Sequence, residues 1–227
     1  MLATLSRCLC MVALAACTMP TEVIIQPQPA ASSSATNTAD GGADPRGVCA
    51  PSSAAGWSPV WVPPTGASQG ACTASDLANL YAACFGATAS SDTCSSYQSS
   101  SPTCASCVLS ASRDPTWGPI VVFNNTTTIN QPGCIALVDP AAGACAVSAQ
   151  AQAECEHALC DSNCPVSDST SLAAWQQCTA QAGAGACSAY DSTCLNAAED
   201  AGGSACGGAD FATTFTNVAT VFCGSPN

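Results

Sequence analysis

The sequence contains no lysine, and its three cations, Arg7, Arg46 and Arg113, stand against 15 acidic residues. A net charge of −12 repels polyanions, which excludes nucleic acid and anionic lipid headgroups as docking partners. A single histidine, His157, is the one imidazole available for acid–base or metal chemistry. Bulky apolar side chains are scarce as well: only 26 of the 180 residues from Val48 to Asn227 are Leu, Ile, Val or Phe. That lies below the roughly 20% under which a charged chain is expected to stay disordered. No apolar run reaches the ~20 residues that a membrane-spanning helix needs. Neither a glycine-rich phosphate loop nor the Asp spacing of a calcium loop is present, so no cofactor is expected.

Cysteine is what the chain has in excess. Sixteen of its 19 cysteines follow Val48: Cys49, Cys72, Cys84, Cys94, Cys104, Cys107, Cys134, Cys145, Cys155, Cys160, Cys164, Cys178, Cys187, Cys194, Cys206 and Cys223. Such density marks an exported scaffold in which cross-links stand in for a thin core. All sixteen are therefore expected to be half-cystines. At ~2–4 kcal/mol each, about eight bridges offset the missing burial, although such terms do not simply add.

The N-terminus agrees with export. A short segment carrying Arg7 precedes the apolar run Leu9–Leu14, and small residues follow at Ala15 and Ala16, the layout of a secretory signal. Leu14-Ala15-Ala16-Cys17 resembles the lipobox of bacterial lipoproteins. That resemblance implies that Cys17 is acylated and becomes the first residue of the mature chain. Thr18, rather than Asp, follows it, which by the same resemblance implies the outer membrane. Two or more acyl chains anchor firmly where one holds only marginally. The alternative is an ordinary signal peptide cut near Ala16, leaving Cys17 a plain thiol on a secreted protein. Residues 18–47, rich in Pro, Ala, Ser, Thr, Asn and Gly, read as a flexible tether. Stretched, such a segment reaches on the order of 100 Å. The expected organisation is thus 1–16 signal peptide, 17–47 lipidated cysteine and tether, and 48–227 one disulfide-rich domain. The membrane, reached through Cys17, is the one partner the sequence names; any protein or surface-polymer partner is unknown.

Within the folded part, Trp57–Pro64 reads as an extended arm because its prolines disfavour helix. Thr73-Ala74-Ser75-Asp76 has the form of a capping box, and Leu77, Leu80, Tyr81 and Cys84 follow on one helical face before Gly86. Ser91–Ser99 predicts a second helix, and Pro102 starts a third carrying Cys104, Cys107 and Val108. Ile120–Phe123 and Cys134–Val138 are the β-like runs, expected to pair antiparallel. Helix returns after Ala144 with Ala151, Cys155 and Leu159 on one face. It continues with Leu172, Trp175 and Cys178 after an Asp168 or Ser169 start, and then with Cys187, Tyr190 and Cys194. After an Asp210 cap, Phe211, Phe215, Val218 and Phe222 step by four, three and four, the strongest amphipathic pattern present. The fold class is mainly α and disulfide-rich: short helices cross-linked by about eight bridges, with a minor antiparallel β-hairpin.

Helical rise excludes Cys187–Cys194 and Cys155–Cys160 as pairs, since each would exceed the ~7 Å Cα limit along a continuous helix. Bridges must then join different helices. Seven of the sixteen cysteines precede residue 140 and nine follow, so full pairing sends at least one bridge between the halves. One domain is expected.

Three patterns carry candidate chemistry. Gly66-Ala67-Ser68-Gln69-Gly70 matches the nucleophile elbow, but Pro63-Pro64 replace its strand and no helix begins at Ser68. Cys104-Ala105-Ser106-Cys107 is a CxxC lacking a βαβ context, which reads as two structural half-cystines. Cys155-Glu156-His157 with Cys160 and Cys164 offers metal-ligand types without a known finger spacing, and export oxidises the thiolates zinc requires. It reads as a helix bearing a solvated histidine.

The Trp-Pro arm before Cys72, Leu77-Ala78-Asn79-Leu80-Tyr81-Ala82-Ala83-Cys84, Cys104-Ala105-Ser106-Cys107, Trp117-Gly118-Pro119-Ile120-Val121, Gly133-Cys134-Ile135-Ala136-Leu137-Val138 and the Phe-rich end at Cys223 together resemble the cysteine-rich lipoproteins and secreted proteins of unknown function of myxobacteria and related bacteria. The resemblance implies architecture and brings no activity with it. The function expected is a non-enzymatic, lipid-anchored surface or interaction role with no catalytic residue. Its rival is an exported hydrolase or thiol-disulfide oxidoreductase, which a cleft gathering His157, acidic groups and Ser68 or a free cysteine would favour.

Overall fold

Capping chemistry sets the first helices. Thr73 Oγ1 accepts from the Asp76 amide at 3.2 Å, and Asp76 Oδ2 accepts from the Thr73 amide at 2.8 Å. This reciprocal box starts α1 (Ala74–Cys84), which buries Leu77, Leu80 and Cys84. Ser90 and Thr93 repeat the arrangement for α2 (Ser91–Ser100), and Pro102 opens α3 (Pro102–Val108). The computed structural model describes residues 49–67, 69–124, 126–190, 192, 195 and 205–225. The readings of the signal, Cys17 and the tether therefore lie outside the described residues, as do Ser68 and Cys194.

The described chain is mainly helical with one small sheet. Strands β1 (Leu109–Ala111), β2 (Ile120–Val122) and β3 (Thr127–Ile129) lie in that order, β1 parallel to β2 and β2 antiparallel to β3. The hairpin is present, but its second strand is not the expected one. Ile120 faces Ile129 and Val122 faces Thr127, whereas Cys134–Val138 belongs to α4 (Gln131–Val138). Asn130 decides this: its Oδ1 accepts from the Gly133 amide at 2.9 Å, and Pro132 in the first turn is pre-set for helix. The β-branched Thr127, Thr128 and Ile129 take the strand instead.

A 3₁₀ turn at Pro140–Ala142 leads into α5 (Gly143–Cys160). Asp168 caps α6 (Ser169–Ala184), and Asp210 caps α7 (Phe211–Cys223). The expected helix through Cys187 and Tyr190 is absent: both lie in turns beyond Gly185, where α6 ends. The arm Cys49–Ala67 forms no regular element. It bonds Thr65 N to Trp117 O and Trp117 N to Pro63 O, each at 2.9 Å, and packs Trp57 edge-to-face on Tyr190 at 5.5 Å.

Two apolar clusters result. Leu77, Leu80, Phe85, Val108, Ile120, Ile135 and the α7 face of Phe211, Phe215, Val218 and Phe222 form one. The other gathers Leu159, Val166, Trp175 and Ala182 between α5 and α6.

Seven bridges lace these clusters: Cys49–Cys164, Cys72–Cys104, Cys84–Cys94, Cys107–Cys223, Cys134–Cys206, Cys155–Cys187 and Cys160–Cys178. Cys145 is disulfide-bonded too. Three of the seven, Cys49–Cys164, Cys107–Cys223 and Cys134–Cys206, join cysteines on either side of residue 140. α5 is continuous, and Cys155 and Cys160 indeed take partners elsewhere. None of the described helices is long and apolar enough to cross a membrane.

Candidate functional site

Two bridges bring α5 and α6 alongside each other. Cys160, at the end of α5, joins Cys178 on α6, and Cys155, further back, joins Cys187 beyond the end of α6. Stepping back along one helix while advancing along the other makes the pair antiparallel. Gly183 leaves room for the Glu156 side chain between them: a Cβ there would fall 2.5 Å from Glu156 Oε1. β3 and the start of α4 close the far side. Between them lies a cleft of about 630 Å³, lined by Thr128, Ile129, Gln131, Gln152, Ala153, Glu156, His157, Trp175, Gln176, Thr179 and Gly183 among others.

Two side chains from α5 give the cleft its character. Glu156 Oε1 accepts from Gln152 Nε2 at 3.0 Å. Burial pushes this carboxyl up to about 7, against the opposing pull of the Gln152 hydrogen bond. Glu154, which faces Gln150 and Val60 instead, is raised for the same reason.

His157 is the second, and the expectation of a solvated ring is overturned: the residue is only 5% exposed. Its ring stacks on Phe123 with centroids 3.7 Å apart and planes 9° from parallel, and Trp175 lies 5.1 Å away. Nδ1 sits 3.1 Å from Asp161 Oδ1, which also accepts from Trp175 Nε1 at 2.8 Å. Nε2 sits 3.0 Å from Thr128 Oγ1. A carboxylate can only accept, so Nδ1 carries hydrogen, and in the neutral ring Nε2 accepts from the Thr128 hydroxyl. The result ties β3, α5 and α6 through one imidazole. It also has the acid–imidazole–hydroxyl order of a hydrolase triad.

The remaining sequence candidates fall apart in space. Cys104 and Cys107 do not pair with each other; Cys104 joins Cys72 and Cys107 joins Cys223, so the CxxC serves as two separate staples. Cys155, Cys160 and Cys164 are bridged to Cys187, Cys178 and Cys49, which leaves none of them as a thiolate. Sulfurs of Cys49, Cys164 and Cys178 do cluster within 4.8 Å. Zinc requires thiolates, whereas these belong to the neighbouring disulfides Cys49–Cys164 and Cys160–Cys178.

Comparison with known protein families, characterised proteins and solved structures finds no match. The site must be read from its own atoms.

Sequence reasoning missed Thr128, Asp161 and the cleft. Asp161 follows His157 by four residues, a spacing that does place two side chains together on a helical face. For Thr128 no local signal exists, since it meets His157 across 29 residues of chain.

Proposed function

We propose that this chain is a non-enzymatic, exported interaction protein: a disulfide-braced head carried on a tether and held in the outer membrane by acylated Cys17. The carrying observation is that, among the described residues, the cysteines and the histidine are engaged structurally. Fourteen cysteines close seven bridges, and the one imidazole is wedged between Phe123 and Trp175 with both nitrogens occupied. Cross-links on this scale belong to an oxidising compartment, which supports export. The lipobox resemblance at Leu14–Cys17 supports the anchor, and the likeness to cysteine-rich myxobacterial lipoproteins supports the architecture alone. Intact mass before and after reduction, on protein taken from its native membrane, tests the reading. Acyl mass on a chain beginning at Cys17, with at least seven bridges, is expected. An unmodified, soluble or largely reduced chain refutes it.

A second reading has its own observation. Thr128, His157 and Asp161 stand in triad order beside a cleft, as in an exported hydrolase. Its test is turnover of a p-nitrophenyl ester, lost in both Thr128→Val and His157→Asn while the fold persists. Such a result would replace the non-enzymatic proposal.

A further inference from the structure

Among the described residues, the cleft beside α6 holds a carboxyl with no lysine or arginine beside it. Glu156 enters from α5, held by Gln152 and pressed against Gly183. α6, β3 and α4, and the lining residues Ser192 and Leu195, contribute no Asp, Glu, Lys, Arg or His, and the cysteines Cys178 and Cys134 are bridged. On α5 itself, His157 is occupied by Thr128 and Asp161, and Glu154 by Gln150. Arg113 is not among the lining residues. Ile129, Ala153, Trp175 and Ala180 supply an apolar wall around the carboxyl, and about 630 Å³ is the size of a small-molecule site. A half-buried carboxyl without a counter-charge gains from a ligand that brings one. The net charge of −12 draws cations to the protein and repels anions.

We propose that this cleft binds a small organic ammonium ion, its amine paired with the Glu156 carboxylate and its body laid against Trp175. The inference goes beyond the role argued above and does not depend on the state of Cys17. Burial keeps much of the Glu156 population protonated at neutral pH. Binding the cation therefore displaces a proton, and affinity rises as the carboxyl ionises.

Calorimetry on the oxidised full chain tests this with three ligands of one body: benzylamine, benzyl alcohol and benzoate. Benzylamine is expected to bind at least about tenfold more tightly than benzyl alcohol, and benzoate not at all. From the ionised fraction of a group near 7, its apparent affinity falls about 30-fold between about pH 8 and about pH 5.5. Glu156→Gln removes both the preference and the Glu156 share of the pH dependence. Equal binding of amine and alcohol, binding of benzoate, no binding in the millimolar range, or a preference that survives in Glu156→Gln would each overturn the proposal. Where Glu156→Gln yields no folded protein, the native chain alone decides: an amine affinity that is flat with pH is sufficient refutation.

Discussion

Glu156→Gln should change how stability responds to pH, and the size of the effect follows from where the side chain sits. The carboxyl titrates from an ordinary 4.5 in the unfolded chain to about 7 in the fold, because burial against α6 penalises its charge. The folded state therefore holds this proton more tightly than the unfolded one. Its contribution is fully present below pH 4.5 and is lost as pH rises through about 7. A difference from 4.5 to about 7 converts to about 3 kcal/mol, an upper figure because the side chain is partly exposed. Glutamine resembles the neutral carboxyl and does not titrate. Non-reducing guanidinium unfolding of both proteins, at about pH 4.5 and about pH 8, isolates the Glu156 contribution, since Glu154 and every other group are shared. The native chain is expected to lose up to about 3 kcal/mol relative to the variant across that interval. Parallel stability curves would refute the placement of Glu156 in a desolvated cleft.

Other perturbations follow from the same fold. Cys107–Cys223 spans 116 residues and Cys84–Cys94 spans 10, so alanine at both positions of the first pair should cost about 1–2 kcal/mol more than at the second. The lower end reflects the loop already shortened by Cys134–Cys206; equal losses in denaturant titrations would count against a chain-entropy role. Phe215→Ala removes a fully buried ring that contacts Tyr81 and Phe85, and should cost about 3–5 kcal/mol with loss of near-UV dichroism. In the acid range the sign reverses. Amides at helix starts, those of Thr73, Ser171 and Thr213, hold Asp76, Asp168 and Asp210 below the usual 3.8. Their stabilisation is present above that value and fades as pH falls through the lowered range, so Asp168→Asn should flatten the acid limb of thermal unfolding. Finally, peptide mapping without reduction should recover the seven bridges and find Cys145 bridged as well.

Legibility varied with the range of the interaction. α7 was plain because Phe211, Phe215, Val218 and Phe222 repeat on one face behind an Asp210 cap, a pattern complete within 13 residues. α1 was equally clear from its Thr73–Asp76 box. Cys134–Val138 misled because a short apolar run has no period of its own. The overlooked signal was Asn130 with Pro132, a helix start written in polar and imino residues rather than greasy ones. His157 misled in another way. Flanking Glu154, Glu156 and Asp161 make its neighbourhood look solvated, while Phe123 from the hairpin and Trp175 from α6 cover it.

The amino-acid order alone determined the helical class, the abundance of cross-links, the direction of the charge and the impossibility of Cys155–Cys160 pairing, because each is a matter of composition or of spacing within one element. Tertiary structure alone decided which cysteines met, that Thr128 reached His157, and that Glu156 was half-buried beside Gly183. Those outcomes require segments up to 116 residues apart to arrive together, and distance along a chain carries no record of distance across a fold.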